Sequence, residues 1–232
     1  MAAMTDEKST SIFREALESL NRSGVRFVIG GAFAVHHYTG MWRNTNDIDA
    51  YMDHGTVPLA VEALTMSGFR DFGEQAEGDR DWIFHAVKDG AIVDLIWEAP
   101  NHIGAIDKGV VGRGSPGEFL GVAVRFMPPE ELVWSKLFTL NHDRTDWPDI
   151  FRLIRFGPRF DWERLVRMLD EHWPVLLSLM VLFDWVYPGE RRSIPLEVRE
   201  ELLSRKILMP IDSDEPNREA VLDPWIYTRP YA

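Results

Sequence analysis

The chain has 232 residues, 45% of them hydrophobic, with no cysteine and a formal net charge of −12. That length and apolar content suit one large domain or a domain with an appendage, and they exclude a disordered chain. The lack of cysteine excludes disulfides, thiolate-bound zinc and a cysteine nucleophile, and the acidic balance argues against a broad phosphate-tracking surface.

In chain order, Ser9 to Asn21 carries Ile12, Phe13, Ala16, Leu17 and Leu20 on one face, which predicts an amphipathic helix ended by Gly24. Val25 to Ile29 reads as a strand. Gly30-Gly31 leads from it into a helix through Tyr38, closed by Gly40. Asn44 to Asn46 form a polar lead-in to a strand over Asp47–Met52, and Val57 to Ser67 reads as a helix with Pro58 near its first turn. Phe69 to Arg80 is a polar, acid-rich loop. Trp82–Val87 and Ala91–Trp97, separated by Lys88-Asp89-Gly90, carry the pattern of a hairpin. Asn101 to Glu118 is glycine-rich and reads as irregular, with Gly112-x-Gly114 as a turn, and Val122 to Phe126 as a last short strand. Pro128-Pro129-Glu130-Glu131 opens a helix to about Asn141. Four further helical stretches follow, at Asp149–Arg155, Trp162–Glu171, Val175–Val186 and Leu196–Lys206. Met209 to Ala232 reads as an extended tail packed on the body. The expected organisation is therefore α+β: a small mixed sheet flanked by helices over residues 1–127, then a mostly helical part over 128–232. No apolar leader is read at the N-terminus. The most apolar run, Val175 to Val186, is too short to span a bilayer and contains Asp184. A cytoplasmic chain without membrane contact is the expectation.

Three features carry chemistry. Gly30-Gly31, between a strand and a helix N-terminus, makes a ready anion site; its bland reading is a structural turn. Asp47 and Asp49 are two apart on a strand, so they share a face, roughly 7 Å apart, while Ile48 and Ala50 point the other way. Two like charges so placed call for something positive between them, and a hard divalent cation suits carboxylate oxygens. Asp94 sits mid-run in the apolar strand Ala91–Trp97, where an unpaired charge is costly. It pairs with an arginine or serves as a third metal ligand.

Taken together, Gly30-Gly31, Arg43-x-Thr45-x-Asp47-Ile-Asp49 and the strand bearing Asp94 resemble the polymerase-β-type nucleotidyltransferase superfamily. The likeness is to its minimal-nucleotidyltransferase and abortive-infection toxin-like branches, and it covers about residues 25 to 150. It implies a mixed sheet with helices and a nucleoside monophosphate moved from an NTP, ATP among them, to a hydroxyl. It also implies two Mg2+ ions, or Mn2+, on Asp47, Asp49 and Asp94, with Gly30 and Gly31 touching phosphate. Asp94 has an alternative role as general base. Lys136, Arg144, Asp146 and Asp149 follow the order of the toxin-like branch, in which a helix lysine precedes an arginine and an Asp-x-x-Asp. Lys136 is then a mobile charge for the triphosphate; Asp146 and Asp149 orient substrate, act as a base, or simply cap a helix. Arg43 touches phosphate or pairs with Asp49, and Thr45 bonds the loop or the nucleotide. His36 and His37 read as structural, and Trp82 and Trp97 as flanking the sheet. The acceptor is a small molecule, with a cationic one suiting the acidic charge, or a protein or tRNA. The alternative is a nucleotidyltransferase fold without turnover, acting as a nucleotide sensor or toxin–antitoxin component.

Overall fold

The computed structural model describes residues 7–72, 81–104, 106, 108–140, 144–207 and 218–222. The chain divides into two compact units, Met1–Pro128 and Pro129–Ala232.

In the first unit, α1 (Glu7–Ser23) precedes β1 (Phe27–Ile29), α2 (Gly31–Thr39), β2 (Asp47–Met52) and α3 (Val57–Met66). A short β3 (Arg70–Asp71), the hairpin β4 (Ile83–Lys88) and β5 (Ala91–Ile96), α4 (Lys108–Arg113) and the hairpin β6 (Ser115–Phe119) and β7 (Val122–Phe126) complete it. The strands form one mixed sheet in the order β3-β4-β5-β2-β1-β7-β6. The central pairings fix the site: β2 runs antiparallel to β1 and parallel to β5, and β1 runs parallel to β7. Ile48, Ala50, Met52, Val93 and Leu95 are wholly buried on one face of β2 and β5. The apolar face of α1, with Phe13, Ala16, Leu17 and Leu20 at 0–1% exposure, packs on α3, β5 and β7. Burial of this kind contributes about 1.5–3 kcal/mol per large side chain and sets which face of each strand is inward. The Asp89-Gly90 turn has positive φ at both residues, 49° and 89°, which matches the twist of the flanking strands and pairs Lys88 with Ala91.

The expected irregular stretch from Asn101 to Glu118 contains α4 and β6, and Gly112 lies within α4 rather than in a turn. Pro116 and two glycines disguise the strand. Proline is tolerated because β6 is an edge strand, and the glycines reflect crowding, not flexibility. A Cβ at Gly114 would lie 2.6 Å from a Val28 methyl, and one at Gly117 would lie 2.9 Å from the Phe126 ring.

The second unit contains α5 (Pro129–Leu137), α6 (Trp147–Phe156), α7 (Trp162–Leu169), α8 (Trp173–Val186), α9 (Leu196–Ile207) and a turn of helix, α10 (Glu219–Leu222). Leu132, Leu137, Ile150, Leu153, Leu165, Leu169, Leu176, Leu179 and Phe183 are its fully buried core. Helix α5 stops at Leu137, short of the expected Asn141, because the chain turns back: Leu140 bridges Thr145, which returns Asp146 to the side of Lys136. Most of the expected tail from Met209 lies outside the described residues. Among the described residues no helix is long and apolar enough to cross a membrane.

Candidate active site

Strand β2 alternates as its sequence requires. Ile48, Ala50 and Met52 are buried, whereas Asp47, Asp49 and Tyr51 are half-buried on the opposite face. In the parallel ladder Asp49 is the direct partner of Asp94, and Asp47 that of Ile92. Partners in register share a face, about 4.8 Å apart between strands, so the three carboxylates occupy neighbouring positions on one side of the sheet. Asp94 lies on the same side as the other two.

The glycine turn meets them there. Gly30 donates its N–H to the Asp49 carbonyl at 2.9 Å, and α2 starts at Gly31. Gly31 has φ +52°, and a Cβ on it would sit 1.7 Å from Asp49 Oδ2; a Cβ on Gly30 would sit 2.3 Å from the Tyr51 ring. Both glycines are therefore required by close approach, and the N-terminus of α2 abuts the Asp49 carboxylate. Gly31→Ala is expected to cost about 1–2 kcal/mol through the left-handed backbone alone. It also displaces Asp49, so turnover should fall by roughly 100-fold. Melting temperature and pyrophosphate release, measured on the same sample, separate the two effects.

Two of the three carboxylates take separate partners. Thr45 Oγ1 donates to Asp47 Oδ1, and His85 Nδ1 is 2.6 Å from Asp94 Oδ1. Like charges on adjacent positions repel, and Asp47 and Asp94 each turn to a local donor. Accordingly, among the described residues no three acidic or imidazole side chains are gathered to hold an ion as they stand. The donor chemistry and the backbone positions still suit a hard cation, because all three ligands are carboxylates on one face of two adjacent strands. Burial pushes the Asp94 carboxyl above the usual carboxylate range. The hydrogen bond and charge of His85 oppose that shift, and the charge of Asp47 adds to it.

His85 was missed by sequence reasoning, although a signal existed. A two-residue turn at Asp89-Gly90 forces Lys88 to pair with Ala91, and counting back three places puts His85 opposite Asp94. The other candidates divide. Arg43 is partly exposed on the loop between α2 and β2. His37 stacks on Phe126, with ring centroids 3.9 Å apart, and burial with the neighbouring His36 lowers its pKa. His36 meets Trp42 edge-on at 5.5 Å. Trp97 stacks on His54 and donates its indole N–H to the Asp81 carbonyl.

Lys136, Arg144, Asp146 and Asp149 lie in the second unit and meet one another. Lys136 is 3% exposed and donates to Asp146 at 2.9 Å and Asp149 at 3.0 Å. Arg144 clamps Asp146 through two nitrogens at 2.8 Å, and Arg152 bonds Asp149 at 3.0 Å. The picture of Lys136 as a mobile charge is thereby corrected: its ammonium is enclosed, and the charges of α5 and α6 are matched where the helices meet. Burial raises the pKa of Asp146, but the Arg144 hydrogen bonds and the charges of Lys136 and Arg144 outweigh it and hold the pKa at about 2. A folded-state pKa below the ordinary 3.8 stabilises the protein above that value and loses the stabilisation as pH falls from about 4 towards about 2. The contribution is roughly 2 kcal/mol. Denaturant unfolding should show about half of that drop between neutral pH and about pH 3 and most of it by about pH 2, and Asp146→Asn should flatten it.

The model of a family described as nucleotidyl transferases of unknown function, DUF2204, matches residues 9–172, most of the chain and all of the sheet. The chain belongs to this family. It is a nucleotidyltransferase, as the glycine turn and the paired aspartates led us to expect. No curated protein matches it. Among solved structures, this nucleotidyltransferase is similar to the antibiotic-resistance factor ANT(2'')-Ia, with 18% identity over 88% of this chain and 95% of that one and a TM-score of 0.43. It is also similar to the lincosamide antibiotic adenylyltransferase LnuA, solved with lincomycin bound, with 16% identity over 65% of this chain and 98% of that one and a TM-score of 0.44. A third is JHP933 from Helicobacter pylori, with 12% identity over 88% and 97% of the two chains and a TM-score of 0.41.

Proposed function

We propose that this nucleotidyltransferase moves a nucleoside monophosphate from an NTP to an acceptor hydroxyl, with a divalent cation, Mg2+ or Mn2+, held by Asp47, Asp49 and Asp94. The observation that carries the reading is the register of β2 on β5, which puts Asp49 beside Asp94 on the face that meets Gly31. Bound there, such a cation would neutralise phosphate charge and favour the ionised acceptor hydroxyl. The residues supply position. The rigid ladder fixes the spacing of the three carboxylates. Thr45 and His85 orient two of them, and the start of α2, where Gly31 is half-buried, offers backbone N–H groups to phosphate oxygen. Asp94, only 7% exposed, alternatively takes the acceptor proton.

Lys136 is better read as the centre of a helix clamp than as a phosphate contact, because both neighbouring carboxylates already hold its ammonium. The test is pyrophosphate release from each NTP in the presence of Mg2+ or Mn2+, with lysate, tRNA and cationic small molecules as acceptors. Release that stops on chelation and returns with the added cation supports the assignment. Release that continues in chelator overturns the metal role.

A further inference from the structure

Helix α8 has two faces of opposite fate. Leu176, Leu179, Met180 and Phe183 are 0–1% exposed in the core of the second unit. On the other side Val181 is 60% exposed and Trp185 78%, flanked by Leu182 and Val186 at 39% each. Positions 174, 178, 181 and 185 recur at helical spacing, so Pro174, Ser178, Val181 and Trp185 form one outward stripe along the helix. Exposed Val181 and Trp185, flanked by Leu182 and Val186, have the composition of an interface, not of a solvated face.

The ends of the helix are charged in opposite senses. Just before α8, Asp170 and Glu171 are exposed, and Glu171 is already bonded to Arg218 at 3.2 Å, which leaves Asp170 as the acid offered outward at this end. Just after it, Arg191 and Arg192 are exposed and line a groove with Asp184, Ile194, Pro195, Leu196 and Arg199. That groove has a volume of about 490 Å³. Arg199 is already bonded to Asp184, whereas neither Arg191 nor Arg192 has a carboxylate partner among the described residues. Two exposed arginines with no carboxylate partner among the described residues, a few residues beyond Trp185 in sequence, stand out on a chain of net charge −12.

We propose that the partner for this surface is a second copy of the chain, with the two α8 helices antiparallel about a twofold axis. Antiparallel packing sets the stripe against itself, as an isologous interface requires. It also brings Arg191 and Arg192 of each copy alongside Asp170 of the other, at both ends of the contact. A helix of 14 residues is about 21 Å long, so its face alone falls short of the roughly 800 Å² per partner of a standard interface. The dimer therefore depends on the arginine-lined groove as well as on the stripe. The matched family segment ends at residue 172 and α8 begins at Trp173, so the apolar stripe and the two arginines lie outside that segment, whereas Asp170 lies at its edge.

The test is the mass of the full chain by sedimentation velocity and light scattering. The wild type should sediment with twice the chain mass. Trp185→Glu and, separately, Arg191→Glu with Arg192→Glu should halve it while leaving the melting profile and pyrophosphate release in place. Reversal of Asp170 to lysine should also halve the mass, and combining that reversal with the arginine reversal should restore the dimer, which only a contact between these ends predicts. A monomeric wild type, with Trp185 covered by another part of the chain or by a different protein, overturns the proposal. So does a dimer that survives Trp185→Glu with unchanged mass.

Discussion

Asp49→Asn is expected to reduce nucleotidyl transfer by roughly 10³-fold or more, equivalent to about 4 kcal/mol of barrier, while leaving the fold intact. Asp49 stands beside Asp94 across the ladder and against Gly31 below it, so it is common to the carboxylate cluster and the glycine turn. Asparagine keeps the volume and the bond from Gly30 N–H, which is made to the backbone carbonyl of Asp49. What disappears is one negative charge and the hard anionic oxygen. Asp49 is half-buried, so the loss should barely alter unfolding. Pyrophosphate release and a thermal melt on the same preparation check both halves. Unchanged, cation-dependent turnover in this variant would remove Asp49 from the assigned ligands.

Lys136→Met is expected to destabilise the protein by about 3–5 kcal/mol. Asp146 and Asp149 are 8% and 5% exposed, and the substitution removes the ammonium that lies between them. Arg144 and Arg152 still hold one carboxylate each, but their side chains are 62% and 37% exposed and their charges are screened by solvent. The melting temperature should fall by about 10 °C or more. Combining Lys136→Met with Asp146→Asn and Asp149→Asn should recover much of the loss, because a buried ion cluster removed as a whole is far less costly than one left unbalanced. A Lys136→Met variant that melts like the wild type yet has lost turnover would return this lysine to the phosphates.

The reading of Asp47 and Asp49 from sequence rests on a short-range rule. Alternation along a strand sends residues two apart to one face, and Ile48, Ala50 and Met52 announce which face is inward. Gly30 and Gly31 are visible for a similar reason, since a strand that turns directly into a helix needs a permissive backbone. His85 shows the limit of local reading. Its role depends on the pairing of β4 with β5, and only careful counting through the Asp89-Gly90 turn would have exposed it. Strand β6 was hidden because proline and glycine read as punctuation, although on an edge strand packed against Phe126 they are tolerated or demanded. Lys136 was misjudged as mobile because a lysine on a helix carries no mark of what encloses it.

By itself, the sequence determined α1 to α3, the β4–β5 hairpin and β7, the inward face of β2 and the shared side of Asp47 and Asp49. These follow from backbone periodicity and local composition, which act over a few residues, whereas the nucleotidyltransferase character followed from the resemblance those motifs carry. Only the tertiary structure decided that Asp94 aligns with Asp49, that Asp49 closes on Gly31, that His85 holds Asp94, and that Lys136 is enclosed by Asp146 and Asp149. Register and burial depend on contacts between residues distant in the chain, and no local pattern encodes the distance at which two such side chains finally meet.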